Sequence, residues 1–146
     1  MRIYEVQNRS ELLPSLLEIW EDSVLATHTF LSENEMEEIK KYVPKAIKNV
    51  EVLTIAVGDD RKPVAFMGTG NRRLEMLFLS PSVRGKGLGK QLVEYGIKNH
   101  GIYIVAVNEE NPQAVGFYEH IGFKTCKRSA LDKQGNPHPL LYMKLD

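Results

Sequence analysis

A glycine-rich turn between a strand pattern and a helix pattern most constrains how this chain folds. The β-prone run Leu74–Leu79 comes first, and apolar residues recur at helical spacing from Leu88 onward. Between the two patterns, Gly85, Gly87 and Gly89 occupy alternate positions. Because glycine lacks a Cβ, backbone N–H groups at such a turn can point at a bound anion. A helix N-terminus adds about half a positive charge, so this segment predicts a pocket for a diphosphate.

The residues around this turn exclude two other phosphate-binding motifs. Arg84, Lys86 and Lys90 add positive charge to the segment. A Walker A loop needs glycine at the position of Arg84 and Ser or Thr at the position of Gln91. A dinucleotide fingerprint needs glycine where Lys90 stands, and it belongs in the first βαβ unit of a chain. On the glycines alone, a turn that binds no ligand remains open as the structural alternative.

A second motif follows this turn further along the chain. The run Asn111–Phe123 contains Asn, Ala, Phe-Tyr and Gly-Phe in that order, and the run Arg84–Gly89 contains Arg, Gly and Gly. Together the two motifs resemble the GNAT superfamily of N-acetyltransferases. The resemblance is close from Val52 to the C-terminus and looser in the N-terminal helices, which form the family's variable acceptor-binding region. It implies direct transfer of the acetyl group of acetyl-CoA, in a ternary complex, to a primary amine of a small molecule or peptide.

Hydrophobic periodicity predicts a single domain, residues 1–146, of the α/β class in its α+β form. Helices, with expected caps at Ser10, Ser32 and Asn111, pack on a mostly antiparallel mixed sheet, and Pro14 moves the expected start of the first helix beyond its cap. The GNAT fold that the resemblance implies has about six to seven strands, about four helices and splayed fourth and fifth strands. The predicted strands are Arg2–Val6, Val52–Gly58, Val64–Gly70, Leu74–Leu79, Tyr103–Val107, Phe123–Arg128 and Leu140–Leu145.

The resemblance also implies where acetyl-CoA, as co-substrate, would bind. In the family, the splayed fourth strand holds the pantetheine arm, and the match places this stretch, with an implied bulge, at Leu77–Leu79. Backbone N–H groups of the strand would polarise the thioester carbonyl. The expected cofactor-binding residues are Leu77, Phe78, Leu79, Arg84, Gly85, Lys86, Gly87, Leu88, Gly89, Lys90, Asn111 and Phe117.

Two residues are candidates for catalysis. Tyr118 matches the family's general acid to the departing thiolate, and its structural alternative is a core tyrosine on an amphipathic helix. Glu75 is the candidate base, because alternation places it on one strand row with Leu77 and Leu79; a solvated or salt-bridged carboxylate is the alternative. Some relatives carry a glutamate on the fifth strand, where this chain has Ala106, so that base is excluded.

The acceptor side is predicted less sharply. Trp20, His28 and Phe30 fall where the family's first two helices form a wall of the acceptor pocket. Trp20 also continues an apolar stripe typical of core packing, and His28 stands near a helix end, where it can face the terminal carbonyls. The missing fifth-strand glutamate leaves an alternative function open, a catalytically inactive acetyl-CoA-binding sensor or regulatory domain.

Composition narrows the partners and the compartment. Lys plus Arg number 19 and Asp plus Glu number 19, so no overall charge favours nucleic acid. No apolar run approaches the roughly 20 residues that span a bilayer, and the single Cys126 cannot form an internal disulfide. We therefore expect a cytoplasmic enzyme without nucleic-acid or membrane partners, and the resemblance allows a homodimer. Cys126 is expected to be buried in its strand, and the histidine spacing predicts no metal site.

Overall fold

A computed structural model describes residues 1–27 and 30–145 of the chain. These residues form seven strands and four α-helices, as the resemblance implied. The strands are β1 (Arg2–Glu5), β2 (Val52–Val57), β3 (Pro63–Gly70), β4 (Arg73–Leu79), β5 (Ile104–Asn108), β6 (Lys124–Ser129) and β7 (Leu140–Lys144). The helices are α1 (Arg9–Thr27), α2 (Glu33–Asn49), α3 (Leu88–His100) and α4 (Pro112–Ile121), and a 3-10 turn covers Pro81–Val83.

The strands form one sheet in the order β1-β2-β3-β4-β5-β7-β6. Strands β4 and β5 are parallel, and the other neighbouring pairs are antiparallel. The parallel pair is short: Arg73 lies opposite Ile104 and Leu74 opposite Val105, and no further register follows in the described strands. The predicted splay between the fourth and fifth strands is therefore confirmed, and it opens a gap in the middle of the sheet.

Helices cover both faces of the sheet, so the strands pack on two sides. The buried cluster with Leu92 of α3 and Tyr118 of α4 includes Met67. The cluster on the other face, with Trp20 of α1, includes Phe66. Because side chains alternate along a strand, adjacent residues of β3 serve opposite clusters. The gap between β4 and β5 is thus flanked by helices on either face.

The start of α1 differs from the prediction. The helix begins at Arg9, so Ser10 lies inside the first turn instead of capping it, and Pro14 is accommodated within the helix. Proline removes only one backbone donor, and the guanidinium of Arg9 anchors this end by donating to the carbonyl of Ile47, 3.0 Å away, near the end of α2. At the start of α2, the predicted capping box of Ser32 is confirmed.

A β-bulge in β4 lies close to the gap. The pairing with β3 shifts between Gly68 and Thr69, which leaves Glu75 as the extra residue on β4. The bulge therefore lies at Glu75 and not at the predicted Leu77–Leu79, where the ladder with β3 is regular. The extra residue separates Glu75 from the strand row to which simple alternation assigned it.

Beyond the bulge, the predicted alternation holds. Leu77 and Leu79 pack on the side of α3 and α4, and Met76 and Phe78 pack on the side of α1 and α2. The expectation that one row would pack while the other only bordered a cleft was too simple. Since helices cover both faces, both rows pack, and both also reach the gap.

Cys126 is exposed, which contradicts its predicted burial. It lies on β6, the last strand in the sheet order, whose side chains are mostly exposed. An edge strand has no neighbour to cover it, and this explains the difference. In the described residues, no helix combines the length and apolarity needed to cross a membrane.

Candidate active site

A cleft of about 680 Å³ lies where β4 and β5 diverge, between the start of α3 and helix α4. We call it the first cavity. It contains most of the residues predicted to bind a cofactor. These are Leu77, Phe78, Leu79, Arg84, Gly85, Gly87, Leu88, Gly89, Lys90, Asn111 and Phe117. Lys86 is exposed and does not border it.

The N-terminus of α3 presents unbonded backbone donors to this cavity. Gly87 is the cap residue, with φ 82° and ψ 3°, and the first intrahelical bond runs from the N–H of Gln91 to the carbonyl of Gly87 over 3.1 Å. The N–H groups of Leu88, Gly89 and Lys90 therefore precede the helical ladder. Their cap is a glycine, which has no side chain to accept from them. Together with the helix dipole, three free amides form an anion site.

Positive side chains stand beside these amides. Arg84 and Lys90 border the first cavity and are exposed, and the Lys90 ammonium lies 3.8 Å from the carboxylate of Glu94 one turn along α3. An exposed pair of this kind is weak, so Lys90 can turn toward a bound anion. The arrangement suits the two phosphates of a diphosphate.

Tyr118 is held inside the cavity by aromatic packing. Its ring meets those of Phe117 and Phe123 edge-on, at centroid distances of 5.0 and 5.7 Å, and the residue is 8% exposed. Burial raises the pKa of the Tyr118 phenol well above its usual value near 10. A phenol of this kind stays protonated at neutral pH. It borders the cavity as a proton donor on a rigid support.

Asn111 has the predicted capping role. Its side-chain oxygen accepts from the N–H of Ala114 at 3.2 Å, and Pro112 occupies the first helical position of α4. Asn111 also borders the first cavity, so its amide N–H group can face a ligand while its oxygen caps the helix.

A second cavity of about 320 Å³ lies on the other side of the gap, between α1, α2 and the loop that joins β6 to β7. The two cavities share lining residues at the gap, and these are Glu75, Met76, Phe78, Ala106 and Asn108. The second cavity is mostly apolar. A ligand in one cavity can therefore meet a ligand in the other through the space between β4 and β5.

The three predicted acceptor residues have different surroundings. Trp20 borders the second cavity, yet it is 3% exposed and belongs to a buried cluster, so it serves both packing and lining. Phe30 borders neither cavity, and its ring lies 5.6 Å from that of His138. His28 lies outside the described residues. The roles of Phe30 and His28 in acceptor binding stay predictions.

A cluster of two carboxylates and one histidine was missed by the sequence analysis. The Nδ1 atom of His138 lies 2.7 Å from Glu110, and its Nε2 atom bonds to Glu35. The bond to Glu110 and that to Glu35 raise the pKa of His138. His138 borders the second cavity. The cluster ties the β6–β7 loop to the start of α2 and to the β5–α4 turn, and so fixes one wall of this cavity.

Other lining residues of the first cavity were also missed. Polar or titratable examples are Ser23, Thr27, Asn108, Gln113 and His120. Ser23 and Thr27 stand one turn apart on α1 beside its apolar stripe, and this spacing was a usable signal. In residues 1–27 and 30–145, no group of three or more His, Cys, Asp and Glu side chains is placed to hold a metal ion.

Comparisons with known proteins agree with this geometry. A family model described as the acetyltransferase (GNAT) domain matches residues 23–145. The peptidyl-lysine N-acetyltransferase YjaB of Salmonella typhimurium is 42% identical over 135 residues, which cover 92% of each chain. These values show family membership as well as similarity of fold.

Solved structures share the fold over nearly the whole chain. The solution structure of apo YjaB from Escherichia coli has a TM-score of 0.88 and 39% identity, covering 99% of this chain and 97% of that one. The PaiA N-acetyltransferase of Thermoplasma acidophilum, solved with coenzyme A, has a TM-score of 0.69 and 23% identity, covering 99% of both chains. At that identity the likeness concerns the fold alone. Motifs, cavity, family model and relatives together show that this chain belongs to the GNAT acetyltransferase family.

Proposed function

We propose that this acetyltransferase moves the acetyl group of acetyl-CoA to the ε-amine of lysine side chains in peptides or proteins. The observation that carries the proposal is the junction of the two cavities at Glu75. The first cavity supplies Tyr118 and the amides of α3, and the second supplies an apolar channel that ends at a carboxylate. The naming of the relative YjaB as a peptidyl-lysine N-acetyltransferase supports lysine as the acceptor.

In this proposal, acetyl-CoA occupies the first cavity. The diphosphate would accept hydrogen bonds from the N–H groups at the start of α3, with Arg84 and Lys90 alongside. The pantetheine arm would follow β4 along Leu77–Leu79, next to Asn111 and Phe117. The acetyl thioester would then lie in the gap between β4 and β5.

The backbone of β4 would stabilise the reacting carbonyl. Past the short pairing of Leu74 with Val105, the β4 donors that point away from β3 have no strand partner in the described part of β5. Such donors can bond the carbonyl oxygen as it gains negative charge. One oxyanion contact of this kind is typically worth about 3 kcal/mol.

The acceptor lysine would enter through the second cavity. Its aliphatic stem matches an apolar channel bordered by Trp20, Met76 and Phe78, and Tyr42 at the rim is 59% exposed. A lysine amine is neutral about once in a few thousand molecules at pH 7, so deprotonation costs about 4 to 5 kcal/mol. Glu75, at the junction, is the proposed acceptor of that proton.

Tyr118 would complete the transfer on the leaving-group side. The amine attacks the carbonyl carbon, the carbon–sulfur bond breaks, and the phenol donates its proton to the sulfur. Because burial raises the pKa of Tyr118, the phenol is fully protonated when the thiolate forms. No observation favours the alternative of an inactive acetyl-CoA sensor.

The acceptor class is tested with three matched peptides and thiol release at saturating acetyl-CoA. One peptide has a blocked N-terminus and a single lysine, the second has a free N-terminus and arginine in place of lysine, and the third has neither amine. We expect acetylation of the first peptide alone. Transfer to the second peptide but not the first, or to spermidine but to neither peptide, would contradict lysine as the acceptor.

A further inference from the structure

A lysine of the chain itself stands at the proposed acceptor site. Lys133 lies on the β6–β7 loop and borders the second cavity. Its ammonium nitrogen is 4.0 Å from the carboxylate of Glu75, which borders both cavities. An amine already lies beside the group that we propose as the base, on the acceptor side of the gap.

The loop that carries Lys133 is held in place on both sides. The side-chain oxygen of Asp132 accepts from the N–H groups of Gln134 and Asn136, at 2.9 Å each. Further along, His138 is fixed by Glu110 and by α2. The backbone at Lys133 is therefore anchored at the mouth of the second cavity by bonds that do not involve the lysine side chain.

The side chain of Lys133 is not anchored in the same way. It is 58% exposed, and the carboxylate that it meets is 34% exposed. An ion pair of this length and exposure contributes about 0 to 1 kcal/mol at most, so the ammonium exchanges readily between the carboxylate and solvent. A fixed backbone with a mobile amine gives a high local concentration of acceptor at one point.

We propose that the enzyme acetylates its own Lys133 within the same molecule. This inference rests on the proposed function, because it uses the same base, acid and cavity. It assigns a modification site to the β6–β7 loop. Acetylation would remove the charge of Lys133 and its pairing with Glu75.

The transfer balances as follows. Glu75 takes one proton from the Lys133 ammonium and passes it to solvent. The freed lone pair forms the carbon–nitrogen bond, and the carbon–sulfur bond breaks with its electrons on sulfur. Tyr118 protonates the sulfur, and the second proton lost by nitrogen restores the phenol. The products are an amide at Lys133, free coenzyme A thiol and one proton in solution.

The test is site-resolved mass spectrometry of the full chain during incubation with acetyl-CoA. Lys40 is the matched control, because its ammonium pairs with Glu21 at 3.3 Å, is 47% exposed and borders neither cavity. We expect Lys133 to be acetylated about tenfold faster than Lys40 or more, given the effective concentrations that tethering provides. The rate should not depend on protein concentration, and Lys133→Arg should remove the modification.

A second variant separates enzymatic from spontaneous labelling. Tyr118→Phe should slow acetylation at Lys133 by about 10² or more and leave labelling at Lys40 unchanged. The inference is overturned if Lys133 and Lys40 react at equal rates, if the rate rises in proportion to protein concentration, or if Tyr118→Phe has no effect at Lys133.

The lysine peptide with a blocked N-terminus, included in the same incubation, keeps the two proposals apart. Acetylation of the peptide but not of Lys133 overturns this inference and leaves the proposed function standing. Acetylation of Lys133 but not of the peptide supports self-modification and contradicts transfer to other chains. Acetylation of neither overturns both.

Discussion

A Cβ atom placed on Gly89 would lie 3.2 Å from the Cζ atom of Phe117, closer than side chains normally pack. The first turn of α3 therefore approaches the ring of α4 as nearly as a backbone can. We predict that Gly89→Ala lowers the free energy of unfolding by about 1 kcal/mol or more, since inserted methyl groups strain a packed site. Urea denaturation measures this, and titration with coenzyme A should show weaker binding because the Gly89 amide belongs to the anion site.

Gly116 provides the control for this substitution. It lies in α4, and no atom stands within 4 Å of the position that its Cβ would occupy. Gly116→Ala should stabilise the protein by about 0.5 to 1 kcal/mol, because alanine is the better helix former. If both variants changed stability equally, the close approach of Gly89 and Phe117 would not explain the glycine.

Gly87 is required for its backbone conformation rather than for space. Its φ is 82°, and no atom lies within 4 Å of the Cβ that it lacks. Gly87→Ala should cost about 1 to 2 kcal/mol of stability, whereas Gly87→Asn should cost less, because asparagine tolerates the left-handed region. Calorimetric titration with coenzyme A should rank affinity in the order glycine, asparagine, alanine. Equal values for alanine and asparagine would contradict this reading.

The cluster around His138 predicts a pH dependence of stability. Its bonds to Glu110 and Glu35 raise the pKa of His138 above 6.5. The stabilisation is therefore fully present below pH 6.5 and is lost as the pH rises through the raised pKa. The pKa of Glu35 is lowered from 4.5, first by the backbone N–H of Ser32 and then by His138, so its contribution is present above pH 4.5 and is lost as the pH falls through the lowered value.

The variant His138→Gln isolates this contribution. Its deficit in free energy of unfolding should be greatest near pH 6 and should shrink as the pH is raised to 9. Denaturation curves at several pH values measure the difference. His120→Gln removes an exposed histidine and serves as the control. A deficit of His138→Gln that is constant from pH 6 to pH 9 would contradict the charged form of the cluster.

Glu75→Gln tests the proposed base. At pH 7 we expect kcat with a lysine peptide to fall by about 10² to 10⁴, the range typical of a general base. The loss should diminish at higher pH, because each unit makes the neutral acceptor amine about tenfold more abundant. Initial rates from pH 7 to pH 9.5 give the profile. Full activity of the variant at pH 7 would assign the proton transfer to water instead.

The sequence predicted the parts of this site that depend on neighbouring residues. The turn at Gly85 and Gly87 adopts positive φ angles, as glycine spacing suggested. The cap by Asn111 and the end of α4 at Gly122 are confirmed as well. Each of these features is set by interactions within one turn of the chain, so residue type and spacing are sufficient to reveal it.

Features that join distant segments were not predictable in the same way. The bulge at Glu75 depends on how β4 pairs with β3, and the second cavity combines two helices, two strands and a loop. Glu35 was identified as part of a capping box, but its partner His138 stands 103 positions away. Burial of Cys126 was mispredicted because strand order, which places β6 at the edge, is not written in its local pattern.

Tyr118→Phe with the blocked lysine peptide, at saturating acetyl-CoA, tests most directly whether acetyl transfer occurs at the junction of the two cavities. The variant keeps the aromatic packing and loses the proton donor, so we predict that kcat falls by about 10² to 10⁴ while the affinity for coenzyme A is unchanged. Because the raised pKa keeps the phenol protonated, wild-type activity should show no loss from its ionisation between pH 7 and pH 9. Full kcat in the variant across this range would contradict the account.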